Sequence, residues 1–485
     1  MLKVVLILVL VLLQIHGIHS LVPEQIHLAL GKTPDTMAVQ WATTDEFCTQ
    51  RSLVQYGLNP SELTDQVEAS CYQFSLPAMF KQSNHVAYMT GLKASTKYFY
   101  RVGEEVVNGD WSQVFFFQSA PDASTVLRSP QKFMIFGDLA ASSSGPDHTT
   151  TITPYAVADI AQGNFDMIYQ LGDFAYNFAS KGGLTGRQFM NEIQNMAAYV
   201  PFMVNHGNHE SAFRFAHYTE FFRSQPTNDV DTTVVTDMGV APNNWYFSWN
   251  VGLVHFVTLS SEVYFMGYVT PNTESDLPAK QFAWLEQDLQ AANANRTAAP
   301  WVVVTAHRSI YCSCDGDCDG QALTLRAGIQ FPDGSHRYGL ESLFYKYGVD
   351  LYLNGHEHNY ERMFDVAPHE TYDWTAGVTT GSTFNPPATT YIVTGDAGNN
   401  ENHEPFTLEQ PARSAYRTDA YGYSRMTVYN ATHLFWEQVQ CDLSEEPVLL
   451  GVVVDSTWIV QEYHGSFEDV ARKKNRFSSP SSSSH

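Results

Sequence analysis

Five short motifs between residues 137 and 358 carry side chains that bind metal ions, and each follows a run of apolar residues. They are Gly137-Asp138-Leu139-Ala140, Gly172-Asp173-Phe174-Ala175-Tyr176, Gly207-Asn208-His209-Glu210, Val304-Thr305-Ala306-His307 and Gly355-His356-Glu357-His358. Together they offer Asp138, Asp173, Tyr176, Asn208, His307, His356 and His358 as donors, with His209 left over. Turn chemistry explains a single Gly-Asp pair after a strand, and packing explains a single buried histidine. Neither explains a potential ligand after every strand. If Asp173 is shared, each of two ions receives four protein ligands. Two ions held side by side are a device for hydrolysing phosphate esters.

All seven donors are oxygen or nitrogen, which suits iron, zinc or manganese. Tyr176 discriminates among them, because a tyrosinate is a hard anionic donor that favours a trivalent ion such as Fe(III). Position 140, two residues after Asp138, is alanine and offers no donor.

These side chains must be placed by elements far apart in the chain. Phe133-Met134-Ile135-Phe136, Met167 to Leu171, Phe202 to Asn205, Trp301 to Val304 and Val349 to Leu353 read as strands covered on both faces. Each motif sits where its strand ends, and ligands of open α/β sheets collect beyond the carboxyl ends of strands. Between them lie helical stretches. Pro278 to Ala292 places Phe282, Leu285 and Leu289 on one face, and Leu340 to Tyr347 is a second helix. The alternation of strand and helix from 132 onward is the α/β pattern.

The first hundred residues read differently. Leu21 to Ala120 holds short strands at 26–30, 37–41, 85–89, 97–102 and 113–117, among about seven in all, which suits an immunoglobulin-like or fibronectin-like sandwich. A chain of 485 residues is too long for one simple core, so two domains are expected. The division is 21–120 for the sandwich, 121–131 for a linker, 132–465 for the catalytic domain and 466–485 for a disordered, serine-rich tail. Residues 1–20, with an apolar run from Val4 to Leu13, read as a signal peptide, too short to span a bilayer.

Export changes how the six cysteines read, because an oxidising compartment favours disulfides over a thiolate metal site. Cys48 and Cys71 are expected to pair; Cys312, Cys314, Cys318 and Cys441 cannot be paired from sequence. Asn295 and Asn430 head glycosylation sequons. The formal net charge of −24 argues against a nucleic-acid partner. It also means that an anionic substrate must be attracted locally. No later segment reads as membrane-spanning, and oligomeric state is not legible.

The motifs resemble those of the purple acid phosphatases, a family of binuclear metallophosphoesterases. The resemblance extends to Trp245-Tyr246-Phe247-Ser248, Tyr360-Glu361-Arg362, Gly395-Asp396-Ala397-Gly398-Asn399 and Tyr421-Gly422-Tyr423-Ser424, and covers most of 25–465. It implies an N-terminal fibronectin-like sandwich followed by an α/β metallophosphoesterase sandwich, two central sheets flanked by helices. It further implies Fe(III) on Asp138, Asp173, Tyr176 and His358, and a divalent iron, zinc or manganese on Asp173, Asn208, His307 and His356. Asn208 and His209 would meet substrate phosphate, with His209 protonating the leaving group, and a metal-activated hydroxide would be the nucleophile. The implied enzyme is a secreted or lysosomal-vacuolar acid phosphatase acting on small phosphate monoesters. Two departures stand out. Ala140 replaces a glycine, and the Cys-Asp-Gly-rich stretch 312–320 lacks the adjacent histidine pair of some plant members. Two other readings stay open: the same site acting on diesters or pyrophosphates, and a silent phosphatase domain on a binding protein.

Overall fold

The computed structural model describes residues 22–44, 48, 51–105, 110–126, 129–143, 152–163, 165–265, 277–315, 318–367, 370–372, 382–441 and 451–469. The expected signal peptide and residues 470–485 of the expected tail lie outside them.

The N-terminal part is a sandwich of two four-stranded antiparallel sheets. One sheet runs Glu24–Leu30, Met37–Thr43, Gln82–Met89, Ser70–Phe74, and the other Asp65–Glu68, Ser52–Gly57, Lys97–Glu104, Phe115–Gln118. A disulfide joins Cys48 to Cys71 on an edge strand.

The sandwich is not an independent lobe. Trp41, Tyr100 and Phe115 share one apolar cluster with Phe133, Tyr169 and Met203 of the following domain. Polar ties reinforce the junction. The Tyr100 hydroxyl donates to Ala198 O at 2.7 Å, and the Gln40 amide both donates to Glu220 O and accepts from Ser224 N. The segment expected to be a linker is exposed at Asp122, Ser124, Ser129 and Pro130 but anchored at a few positions. It contains the short helix Ala123–Val126, buries Val126, and opens the strand Gln131–Phe136 with a Gln131 amide bonded to Val251 O and Leu253 N.

From there two large sheets stack. A seven-stranded sheet carries Phe202–Asn205, Met167–Leu171 and Gln131–Phe136 in parallel at one side, followed by Gly422–Val428, His433–Gln440, Val452–Val460 and Ser382–Phe384. An eight-stranded sheet carries Val254–Thr258, Trp301–Thr305, Leu351–Asn354 and Thr389–Thr394 in parallel. Side chains alternate with period two. Phe133, Ile135, Val303 and Leu353 face the layer between the sheets, where Phe133 meets Phe256 ring to ring at 5.4 Å. Met134, Phe136, Val302 and Val304 face outward. The helices Thr153–Gln162, Leu184–Ala197, Leu277–Ala294 and Leu340–Tyr347 cover those outer faces with Tyr155, Phe189, Leu285 and Phe344. Coverage on both faces is why these strands read as unbroken apolar runs.

Packing continues past residue 465. Phe467 is buried, its ring 5.8 Å from that of Tyr345. Among the described residues, no helix is long and apolar enough to cross a membrane.

Candidate metal centre

Each proposed donor leaves the carboxyl end of a parallel strand through a sharp bend. Asp138, Asp173, Tyr176 and His356 all have positive φ, at 65°, 50°, 44° and 72°. Non-glycine residues rarely adopt this region, and it clusters at sites where the fold over-determines the backbone. The bends turn side chains from two sheets toward one point. The motif glycines make the approach possible. A Cβ on Gly207 would strike Asp173 Oδ1 and the His307 ring, and one on Gly355 would strike Asp138 Oδ2.

The seven donors form two adjoining groups. In the first, the Tyr176 hydroxyl lies 2.9 Å from His358 Nε2 and 3.3 Å from Asp138 Oδ1, with His358 Nε2 to Asp138 Oδ1 at 3.7 Å. In the second, His307 Nε2 lies 3.1 Å from Asp173 Oδ2, 3.1 Å from Asn208 Oδ1 and 3.2 Å from His356 Nδ1. Ligand atoms of Asp173, His307 and His356 all lie within 4.8 Å of one another. Asp138 links the first group to the second, and each carboxylate holds a neighbouring loop. Asp138 Oδ2 accepts from His356 N at 3.0 Å, and Asp173 Oδ1 accepts from His209 N at 2.9 Å.

Proton accounting tests whether cations fit. His307 Nδ1 faces Leu171 O at 2.8 Å and His358 Nδ1 faces Asn402 O at 3.0 Å. Carbonyls only accept, so both rings carry a proton on Nδ1 and turn Nε2 toward the cluster. There His307 Nε2 meets a carboxylate oxygen, an amide oxygen and an imidazole nitrogen. One proton satisfies one such contact, whereas a cation satisfies them all. Charges shift in the same sense. Burial opposes a charge on His307, but the Asp173 carboxylate outweighs it and raises the imidazole. Burial likewise opposes ionisation of Asp173, yet His307 holds it below the ordinary carboxylate range. The pair marks a place for positive charge. All donors are O or N, which suits iron, zinc or manganese.

Sequence comparison agrees with this architecture. The profile of the purple acid phosphatase N-terminal domain matches residues 23–119, that of the calcineurin-like phosphoesterases matches 131–360, and that of the iron/zinc purple acid phosphatase-like protein C region matches 388–446. Human acid phosphatase type 7 is 34% identical over 454 residues, covering 93% of this chain and 93% of that protein. The chain belongs to the purple acid phosphatase family. Phosphoenolpyruvate phosphatase of Allium cepa is 27% identical, over 86% of this chain and 78% of its own. In fold, the phosphatase superposes on purple acid phosphatase PPD1 from yellow lupin (Lupinus luteus) seeds with a TM-score of 0.71 at 20% identity, over 94% and 76% of the two chains. The protein is thus a metallophosphoesterase and an acid phosphatase.

Around the donors the phosphatase has a supporting layer that sequence reading did not assign. Glu210 is buried and accepts from three backbone N–H groups, those of Asp173 (3.0 Å), Phe174 (2.8 Å) and Gly207 (2.8 Å), so one carboxylate ties two metal-site loops together. Burial and Asp173 push its carboxyl up, while the three N–H groups pull it down. Glu404 accepts from His358 N at 3.0 Å. Arg308 reaches His356 Nε2 at 2.9 Å. Their available signal was adjacency, because Glu210 and Arg308 directly follow His209 and His307. Glu404 had no local signal.

His209 stands beside the cluster rather than in it. Its Nδ1 is 2.9 Å from Asn177 Oδ1, and its Nε2 is 3.8 Å from Asp173 Oδ2 and 3.4 Å from Glu401 Oε2. His206, two residues before Asn208, packs its ring 4.2 Å from Phe215 and 5.6 Å from Trp245, among aromatics.

The cysteine cluster resolves only in three dimensions. Cys312 bonds Cys318, while Cys314 and Cys441 are buried free thiols. The expected Cys48–Cys71 bond is present, and of the four cysteines left unpaired by the sequence two join each other. Cys314 instead lies against Glu357 Oε2 at 3.1 Å.

Proposed function

We propose that this protein is a secreted acid phosphatase that hydrolyses small phosphate monoesters at a binuclear centre of Fe(III) and a divalent zinc, iron or manganese. The observation that carries the reading is the convergence of acceptors from five strand ends into two adjoining groups. Asp138, Tyr176 and His358, with Asp173, would hold Fe(III). Asn208, His307 and His356, with Asp173 shared, would hold the divalent ion. When bound, such ions supply a nucleophile at acidic pH and polarise the phosphoryl group.

The chain's own residues do the rest. Asn208 and His209 line the approach and orient the phosphate. His209 Nδ1 donates to the Asn177 amide oxygen, which fixes the ring. Its Nε2, near Asp173 and Glu401, is the end that hands a proton to the departing alkoxide. Glu210 keeps the Asp173 and Asn208 loops in register. Export is supported by the apolar segment after Lys3, by two disulfides and by the exposed Asn295 of one sequon; Asn430, the other glycosylation candidate, is half-buried.

The test is metal analysis of the purified protein, with its visible spectrum and its activity on a phosphomonoester panel across pH. Tyrosinate-to-Fe(III) charge transfer should colour the oxidised protein, and Tyr176→Phe should bleach it. A colourless wild type with stoichiometric iron would sink the Tyr176 assignment. A protein with neither metal nor phosphatase activity would sink the whole reading and favour a silent domain.

A further inference from the structure

The chain is strongly acidic, so a dianionic substrate must be attracted by local positive charge. Among the described residues, the cationic side chain that reaches the donor cluster is Arg308. It stands at the end of the strand Trp301–Thr305, immediately after His307. Its guanidinium is held on one side. Nε and NH2 donate to the two oxygens of buried Glu262 at 2.8 and 3.1 Å, and the Phe265 ring lies 4.4 Å from the guanidinium carbon. The backbone is held too, Arg308 N donating to Ser261 Oγ and Arg308 O accepting from the Tyr352 hydroxyl. NH1 is the end directed at the site. It lies 2.9 Å from His356 Nε2 and 3.4 Å from Gln321 Oε1, and the side chain is 14% exposed.

That contact with His356 conflicts with the ligand role given to the same ring. His356 turns Nδ1 toward His307 and Nε2 toward Arg308. A neutral imidazole that ligates through Nδ1 carries its proton on Nε2. Arginine has only protons to offer. Two donors would then face each other, and the NH1 proton aimed at His356 would need another acceptor. It is anchored by Glu262, partly exposed, and beside the divalent ligands.

We propose that Arg308 is a phosphate-binding residue of this site, anchored by Glu262 and turned from His356 to the substrate's phosphate when His356 serves as a ligand through Nδ1. The inference rests on the binuclear reading above. A planar guanidinium with an N–H released from His356 suits a phosphate oxygen, and its grip would discriminate for a terminal, dianionic phosphate.

The experiment uses metal-loaded wild type, Arg308→Gln, and the double variant Arg308→Met with Glu262→Met, which removes the pair without stranding a buried carboxylate. Iron and divalent content are measured first, then inorganic phosphate is titrated calorimetrically. Both variants should keep both ions and bind phosphate more weakly, by about 10- to 100-fold, the scale of one charge-assisted hydrogen bond. Phosphate binding as tight as wild type in either folded, loaded variant overturns the proposal. So does selective loss of the divalent ion from both variants, which would make Arg308 a residue that positions His356. Absence of metal from wild type would instead overturn the binuclear reading, and this role with it.

Discussion

Replacing Glu210 with alanine should be among the most damaging single changes outside the metal ligands. Its side chain is 1% exposed, and its two oxygens accept from Asp173 N, Phe174 N and Gly207 N at 2.8 to 3.0 Å. Truncation strands three buried donors, at about 1–3 kcal/mol each. Water entering the vacated space restores part of that, since it can meet two or more polar partners there. The net expectation is ~3–5 kcal/mol, a large share of the ~5–15 kcal/mol that stabilises a typical domain. Glu210→Gln keeps one accepting oxygen and sets an N–H against the remaining donor, so it should cost less, ~1–3 kcal/mol. Urea unfolding of metal-free protein isolates this term, because bound ions stabilise by mass action. The midpoint should fall with little change in slope. Both variants should also lose iron and divalent ion together, because the clamp joins the loop bearing Asp173 to the loop bearing Asn208. An alanine variant within ~0.5 kcal/mol of wild type would refute the clamp, since that is the scale of an ordinary surface change.

Asp173→Ala should remove both ions, whereas His307→Ala should mainly empty the divalent position; metal analysis showing two ions retained in the Asp173 variant would break the partition. His209→Ala should keep both metals and lose turnover by ~100-fold, the scale of a positioned acid. That loss should be greater for alkyl than for nitrophenyl phosphates, and equal loss would leave His209 as a phosphate-binding residue only. Asp166, which accepts from Lys132 N at 2.9 Å, has its carboxyl pushed by burial up to about 6. A raised acid costs the fold nothing below the unfolded value and progressively more as pH rises through 6. Asp166→Asn should therefore be neutral at pH ~4 and stabilising by at most ~3 kcal/mol above pH ~7. Equal urea midpoint shifts at both pH values would exclude this linkage.

Local pattern determined much of this protein. The five strands before the motifs and the helices at 277–294 and 340–347 were legible because burial on two faces, or on one stripe, leaves a periodic trace in composition. The candidate donors were legible because each sits two to five residues beyond such a run. The resemblance added their division between two ions, and Cys48–Cys71 was readable as a nearby pair. Tertiary structure decided what depends on residues distant in sequence. Glu404, Arg308 with Glu262, and Glu401 beside His209 are brought to the centre by separate loops. Cys312 chose Cys318 over two nearby or distant alternatives, leaving Cys314 against Glu357. The stretch 121–131 looked like a linker because proline and small polar residues mark loops. Its Val126 joins a continuous core because the sandwich buries Trp41 and Tyr100 against the catalytic sheets. Periodicity reports whether a residue is buried, but not against what; only the packed chain supplies the partner.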